Sequence, residues 1–220
     1  MDIPTDKITQ LYSELQALRE LNHPSIVKLL DNFNAKGKMC FVMEYCSGGE
    51  LKHHLYEKGP LPEDECYSII LQIVEAVRQC HNSNIIHRDL KLENILFSDA
   101  THSRIKIVDF GIAGMFVRAG LGSKGNAGSL RYMAPEILNE SGTSSTPALD
   151  IWSIGVIIYA LLTKRMPFRG ATREEVIENI QNIQYKPMSH YRHISKPWVK
   201  LVSGILREDP TFRWSLRRIN

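Results

Sequence analysis

The sequence is short of most features that would assign a function at sight. Only four cysteines occur in 220 residues, Cys40, Cys46, Cys66 and Cys80, and none forms a CxxC pair or stands at a zinc-ligand spacing from histidine. A disulfide scaffold and a structural zinc module are thereby excluded, and the thiols read as reduced and mostly buried. The longest apolar run, Ile151 to Leu162, falls well short of the roughly 20 residues a membrane span needs, and the polar start MDIPTDKITQ lacks a secretory apolar stretch. No membrane span is expected, and the default location is cytoplasmic, that of an intracellular, soluble protein. Charge of one sign is scarce too: 27 Lys and Arg against 24 Asp and Glu leave +3, too little to imply nucleic acid. The excess lies at the end, where Lys186 to Asn220 holds eight Lys/Arg and two Asp/Glu. Those cations are scattered among Trp198, Phe212 and Trp214, which suits a solvated helical surface better than a phosphate patch. No Pro/Gly/Ser-rich linker and no repeat divides the chain, and with 43% hydrophobic residues it can bury one substantial core.

What is present begins with periodicity. Ile8, Leu11, Leu15, Leu18 and Leu21 recur at helical spacing from Lys7 until Asn22-His23-Pro24, where proline forbids continuation. Ser25 to Asn34 and Met39 to Tyr45 are β-type runs around the turn residues 35–38, which predicts a hairpin. Ser47-Gly48-Gly49 reads as a flexible joint. Helices are predicted over Pro62 to His81 and Glu174 to Ile183, a short strand at Ile105 to Ile107, and a helix buried all round at Ile151 to Leu162.

Polar residues interrupt apolar stretches at two places, His87-Arg88-Asp89-Leu90-Lys91-Leu92-Glu93-Asn94 and Asp109-Phe110-Gly111. Each alone is explicable as a turn or a cap. Together, with Met133-Ala134-Pro135-Glu136 and Asp150-Ile151-Trp152-Ser153-Ile154-Gly155 following in order, they form a far more specific pattern. On these clusters the chain resembles a eukaryotic protein kinase from about Lys7 to Trp214. Gly128-Ser129-Leu130-Arg131-Tyr132 and Met166-Pro167-Phe168 are similar to the calmodulin-dependent and AMP-activated branch, and Lys91 favours the Ser/Thr type.

The resemblance implies an α+β, protein-kinase-like two-lobed fold with an incomplete small lobe at 1–46 and a mainly helical large lobe at 47–220. It implies ATP and Mg²⁺ as cofactors and protein substrates as partners. Asp89 matches the base for the substrate hydroxyl, Lys91 the cation on the γ-phosphate, and Asn94 and Asp109 the magnesium ligands. Around the nucleotide, Glu14 matches the lysine-pairing glutamate, Met43 the gatekeeper, Glu44 to Cys46 the hinge, and Leu96 and Leu51 the apolar floor. Glu50, with Glu93, matches positions that in basophilic relatives meet Arg or Lys upstream of the phosphoacceptor. Leu18, Leu29, His87 and Phe110 match a stack of side chains that joins the lobes above Asp150, while Glu136 and Arg213 match a buried structural ion pair.

The sequence also departs from that pattern. No glycine-rich loop and no strand lysine stand before Glu14, so the chain reads as a fragment with little activity alone, truncated again in its last helix. The alternative is a pseudokinase-like interaction or regulatory protein. Arg88 implies a phosphate pocket for the activation segment, yet Gly125 occupies the usual phosphorylated position and Ser123 is the one hydroxyl between Gly111 and Gly128.

Overall fold

The structure, a computed structural model, describes residue 19 and residues 21–35, 38–109, 130–138 and 146–219. It has the α+β architecture expected, a β-hairpin piece leading into a helical one. Strands β1 (Leu29–Ala35) and β2 (Lys38–Met43) pair antiparallel, Ala35 opposite Lys38 and Leu29 opposite Met43, with a bulge between Leu29 and Asp31. The hairpin starts later than the run of β-type residues predicts. His23 accepts the amides of Ser25, on Nδ1, and of Ile26, on its carbonyl, both at 3.1 Å, which closes a turn around Pro24. Ser25 to Val27 then pair elsewhere, the Val27 N–H donating to Ile107 C=O at 3.0 Å and the Ile107 N–H to Ser25 C=O at 2.9 Å. That parallel bridge buries Ile26 and ties the hairpin piece to the rest of the chain.

Helix α1 (Leu51–Lys58) stops at Gly59, whose φ of +90° a side chain would resist. Pro62 then opens α2 (Glu63–Asn82), whose first turn carries Glu63, Asp64 and Glu65 on the positive end of the helix dipole. Its buried face, from Cys66 through Ile70, Ile73 and Val77 to Cys80, is the predicted one. A 3₁₀ turn (Leu92–Asn94) leads into β3 (Ile95–Phe97), which pairs antiparallel with β4 (Ile105–Ile107), Ile95 opposite Ile107. Beyond these lie α3 (Pro135–Leu138), α4 (Ala148–Thr163), α5 (Arg173–Gln181), α6 (Lys196–Ile205) and α7 (Leu216–Ile219). Thr172 caps α5 by accepting the Glu175 amide at 3.2 Å.

Every residue of α4 from Leu149 to Thr163 is buried, so this helix is the axis of the core, with α2 and α6 packed on it. Gly155 permits the α6 approach, since a Cβ there would stand 2.5 Å from Ile205 Cγ2. The basic C-terminal stretch is solvated as expected except at Arg213, which is buried. Cys66 and Cys80 are buried and Cys40 and Cys46 half-buried, and none of the four is in a disulfide. Burial, reinforced by Glu63 at Cys66 and by Asp150 at Cys80, pushes both core thiols well above their ordinary pKa.

The glycine joint is anchored. Ser47 N–H donates to Ser98 C=O and Gly48 N–H to Phe97 C=O, each at 3.1 Å, and a Cβ on Gly48 would collide with the Asp99 carbonyl and stand 2.6 Å from Phe97 Cβ. Glycine serves close approach of two backbones there, while Gly49 alone needs the positive φ, +79°.

Candidate active site

The loop between α2 and β3 owes its shape to a carboxylate on another element. Asp150, in the first turn of α4, is completely buried. Its Oδ2 accepts the His87 amide at 2.9 Å and His81 Nε2 at 2.8 Å, and its Oδ1 accepts the Arg88 amide at 2.8 Å. Burial works to raise its pKa, but the His81 hydrogen bond and nearby charge, with the Arg88 amide, outweigh it and hold the carboxyl below its ordinary value.

His87 is fully buried as well. Its Nδ1 accepts the Asp89 amide at 3.3 Å, so its Nε2 is the protonated nitrogen and donates to Val108 C=O at 3.0 Å. Desolvation holds the ring below its usual pKa against the pull of Asp150, in keeping with this neutral tautomer. Through this single imidazole the catalytic-loop candidate is tied to the segment that carries Asp109.

Asp89 is the point on which the neighbouring donors converge. Lys91 Nζ lies 2.6 Å and Asn94 Nδ2 3.2 Å from the same oxygen, Oδ2, and Asn94 Nδ2 also donates to Asp89 C=O at 2.9 Å. Among the described residues nothing donates to Oδ1. With its side-chain nitrogen committed to Asp89, Asn94 keeps its side-chain Oδ1 to offer as a ligand. The Val108 amide donates to Asn94 C=O at 2.9 Å, which sets Asp109 beside Asn94 in the chain path. Asp109 is exposed at φ +56°, a left-handed conformation unusual for a side-chain-bearing residue.

These donors suit Mg²⁺. One carboxylate and one amide oxygen on adjacent backbones fit a hard cation that keeps waters and takes other ligands from phosphates. They do not form a cage by themselves, and among the described residues no cluster of three His, Cys, Asp or Glu could hold a metal.

On the other side of the cleft, Met43 ends β2 with its side chain exposed. The Glu44 amide is spent on Lys28 C=O at 3.0 Å, and its carboxylate accepts the Lys28 amide at 2.8 Å and Lys106 Nζ at 2.6 Å. Cys46 is half-buried, and burial followed by the Glu44 charge raises its pKa. Glu50 precedes α1 and bridges to Leu96 on β3, which is half-buried. Leu51 is wholly buried among core side chains. Leu29 and His87 of the expected stack are both buried. Glu14, Leu18, Phe110, Gly111, Ser123, Gly125 and Ser129 lie outside the described residues.

Glu136 and Arg213 form the expected buried pair, Nη1 to Oε1 and Nη2 to Oε2, both at 2.6 Å. The guanidinium also reaches Ala148, Arg207 and Glu208 carbonyls and lies 4.9 Å over the Trp152 ring. Three participants were missed by sequence reasoning. His81 could have been found as a polar residue in the last turn of an otherwise apolar helix face. Lys106, between Ile105 and Ile107, alternates onto the opposite face of β4 and so toward Glu44. Lys52, paired with Glu93 at 2.9 Å, gave no signal of its own.

A family model described as protein kinase domain matches residues 2–220. A SNF1-related protein kinase catalytic subunit alpha KIN12 of Arabidopsis thaliana is 39% identical over 94% of this chain, which spans 40% of that relative. Myosin light chain kinase A of Dictyostelium discoideum is 36% identical over 96% of the chain and 72% of its own length. A crystal structure of Rad53 1-466 in complex with AMP-PNP superposes with a TM-score of 0.81 at 31% identity, covering 95% of this chain and 53% of that one. No helix among the described residues is long and apolar enough to cross a membrane.

Proposed function

The chain belongs to the protein kinase domain family, and on that premise we propose that it transfers the γ-phosphoryl group of ATP to a Ser or Thr hydroxyl of a protein substrate in the cytoplasm. Asp89 Oδ1 takes the proton that the hydroxyl loses as its oxygen bonds to phosphorus and the bond to the departing ADP oxygen breaks. Lys91 faces the developing negative charge while its contact with Oδ2 keeps the Asp89 side chain aimed. Asn94 and Asp109 would hold Mg²⁺, which when bound would supply positive charge to the phosphate oxygens. Glu44 to Cys46 offer backbone to the adenine, Met43 and Leu96 border it, and Glu50 lies at the cleft edge. The hairpin piece, 1–46, and the helical piece, 47–220, are the two lobes of this reading.

The observation that carries this reading is the one-sided loading of Asp89, both internal donors on Oδ2 and none of the described residues on Oδ1. The test is transfer of radiolabelled phosphate from Mg²⁺·ATP to serine peptides. Asp89→Asn is expected to lower the rate by about 10²-fold or more with nucleotide affinity retained. Equal rates for the two proteins would overturn the proposal.

A further inference from the structure

We propose that the groove beside Asn94 selects peptides that carry an anionic side chain, carboxylate or phosphate, near the phosphoacceptor; this rests on the kinase reading above. Glu93 and Glu50 taken alone lead to the opposite expectation, a basic flank. The structure reverses the sign at Glu93. Lys52 Nζ lies 2.9 Å from Glu93 Oε1, and a cavity of about 160 Å³ opens between them and the start of α3's approach segment. Among the described residues four cations line it, Lys52, Arg131, Lys164 and Arg165, against Glu93 as the one carboxylate. Glu50 lies outside the lining.

The cations are not equally committed. Lys164 Nζ donates to Tyr56 C=O at 2.8 Å, and Lys52 is held by Glu93. Among the described residues, Arg131 and Arg165 have no carboxylate partner. Arg165 and Met166 also border a second cavity, of about 530 Å³, where Arg169 and Lys186 add positive charge and none of the described lining residues is a carboxylate. A cationic strip therefore runs from the neighbour of Asn94 across Arg165 to Lys186. One feature favours a cation: Glu93 Oε2 is buried without a hydrogen-bond partner. A single acceptor oxygen is set against four positive groups, and the balance of charge decides for an anion.

An arginine arriving here would displace Lys52 only by joining three further cations. A glutamate or phosphoserine would instead meet two guanidinium forks whose planar donors match its oxygens. The groove is open to water, so the preference should weaken with salt.

Fluorescence polarisation of labelled serine peptides on the 220-residue chain tests this. The peptides share one sequence and carry Glu, phosphoserine, Ala or Arg in turn at each position flanking the acceptor. At one or more positions the Glu and phosphoserine peptides are expected to bind roughly tenfold tighter than the Ala peptide, and the Arg peptide more weakly than Ala. Phosphoserine ahead of Glu assigns a phosphate, parity assigns a carboxylate, and either supports the proposal. Added NaCl should erode the difference. Arg165→Glu, an exposed change, should abolish the preference, while Glu93→Gln should keep or sharpen it. Arg peptides binding tightest, or four indistinguishable series, would overturn the proposal. Polarisation reads the groove without chemistry, so a failure of phosphoryl transfer counts against the kinase reading and leaves the charge preference to the peptide series.

Discussion

The amide of Arg88 sits 2.8 Å from Asp150 Oδ1 while Arg88 itself holds a φ of +67°. A left-handed backbone at a side-chain-bearing residue costs on the order of 1–3 kcal/mol. A hydrogen bond to a buried carboxylate contributes about 1.5–3 kcal/mol, enough to offset it. The first turn of the most buried helix thus fixes the loop that presents Asp89.

Asp150→Ala should destabilise the fold by about 3–5 kcal/mol, because two loop amides and His81 lose their acceptor inside the core. Urea denaturation measures the loss. Asp150→Asn should fall between this and wild type, and an unchanged midpoint for either variant would contradict the account.

Acidification should weaken the fold through His87. Burial holds its folded pKa below the ordinary 6.5, so the unfolded chain binds the proton first. The associated stability is full above 6.5 and is lost as pH falls below it toward the folded value. Thermal melts between neutral pH and about 5 should show the decline, and His87→Gln should have a lower melting temperature at neutral pH but a shallower slope. His23, whose pKa burial also lowers, accounts for part of the slope that remains. Parallel profiles for the two proteins would remove His87 from the explanation.

Asp109→Asn should separate metal from base. Calorimetry with ATP is expected to give an affinity about tenfold weaker than wild type when Mg²⁺ is present and little difference when it is chelated. Asp89→Asn should leave both titrations nearly unchanged. Identical behaviour of the two variants would refute the assignment of one oxygen to metal and the other to the proton.

Arg213→Lys should cost about 3 kcal/mol despite conserving charge, since an ammonium cannot reproduce the two-point contact with Glu136 or the stacking on Trp152. Chemical denaturation decides it. A loss below about 1 kcal/mol would mean that the pair behaves as an exposed surface bridge.

The long helices were legible because α2 and α4 advertise themselves by period and by unbroken apolarity. The start of β1 was not, because Ser25 to Val27 satisfy their backbone on Ile107, some 80 positions away, and no local pattern encodes that choice. In the site, Asp89, Lys91 and Asn94 lie within six residues, so their spacing alone announced a constellation. Asp150 was readable only through the resemblance. The ion pairs Lys52–Glu93 and Lys106–Glu44 join residues 41 and 62 apart, and their effect on groove charge emerges only when the chain is folded.

Gly48 fixes where the two pieces of this chain can swing. Its backbone is pressed against Asp99 and Phe97 and bonded to β3, so the glycine pair travels as part of the helical body. Any rotation of the hairpin must turn ahead of Ser47, through Glu44 to Cys46, and strain its second tether, the pairing of Ser25 to Val27 with Ile107. Adenine would meet its backbone partners on those same three residues, where angular motion displaces atoms least.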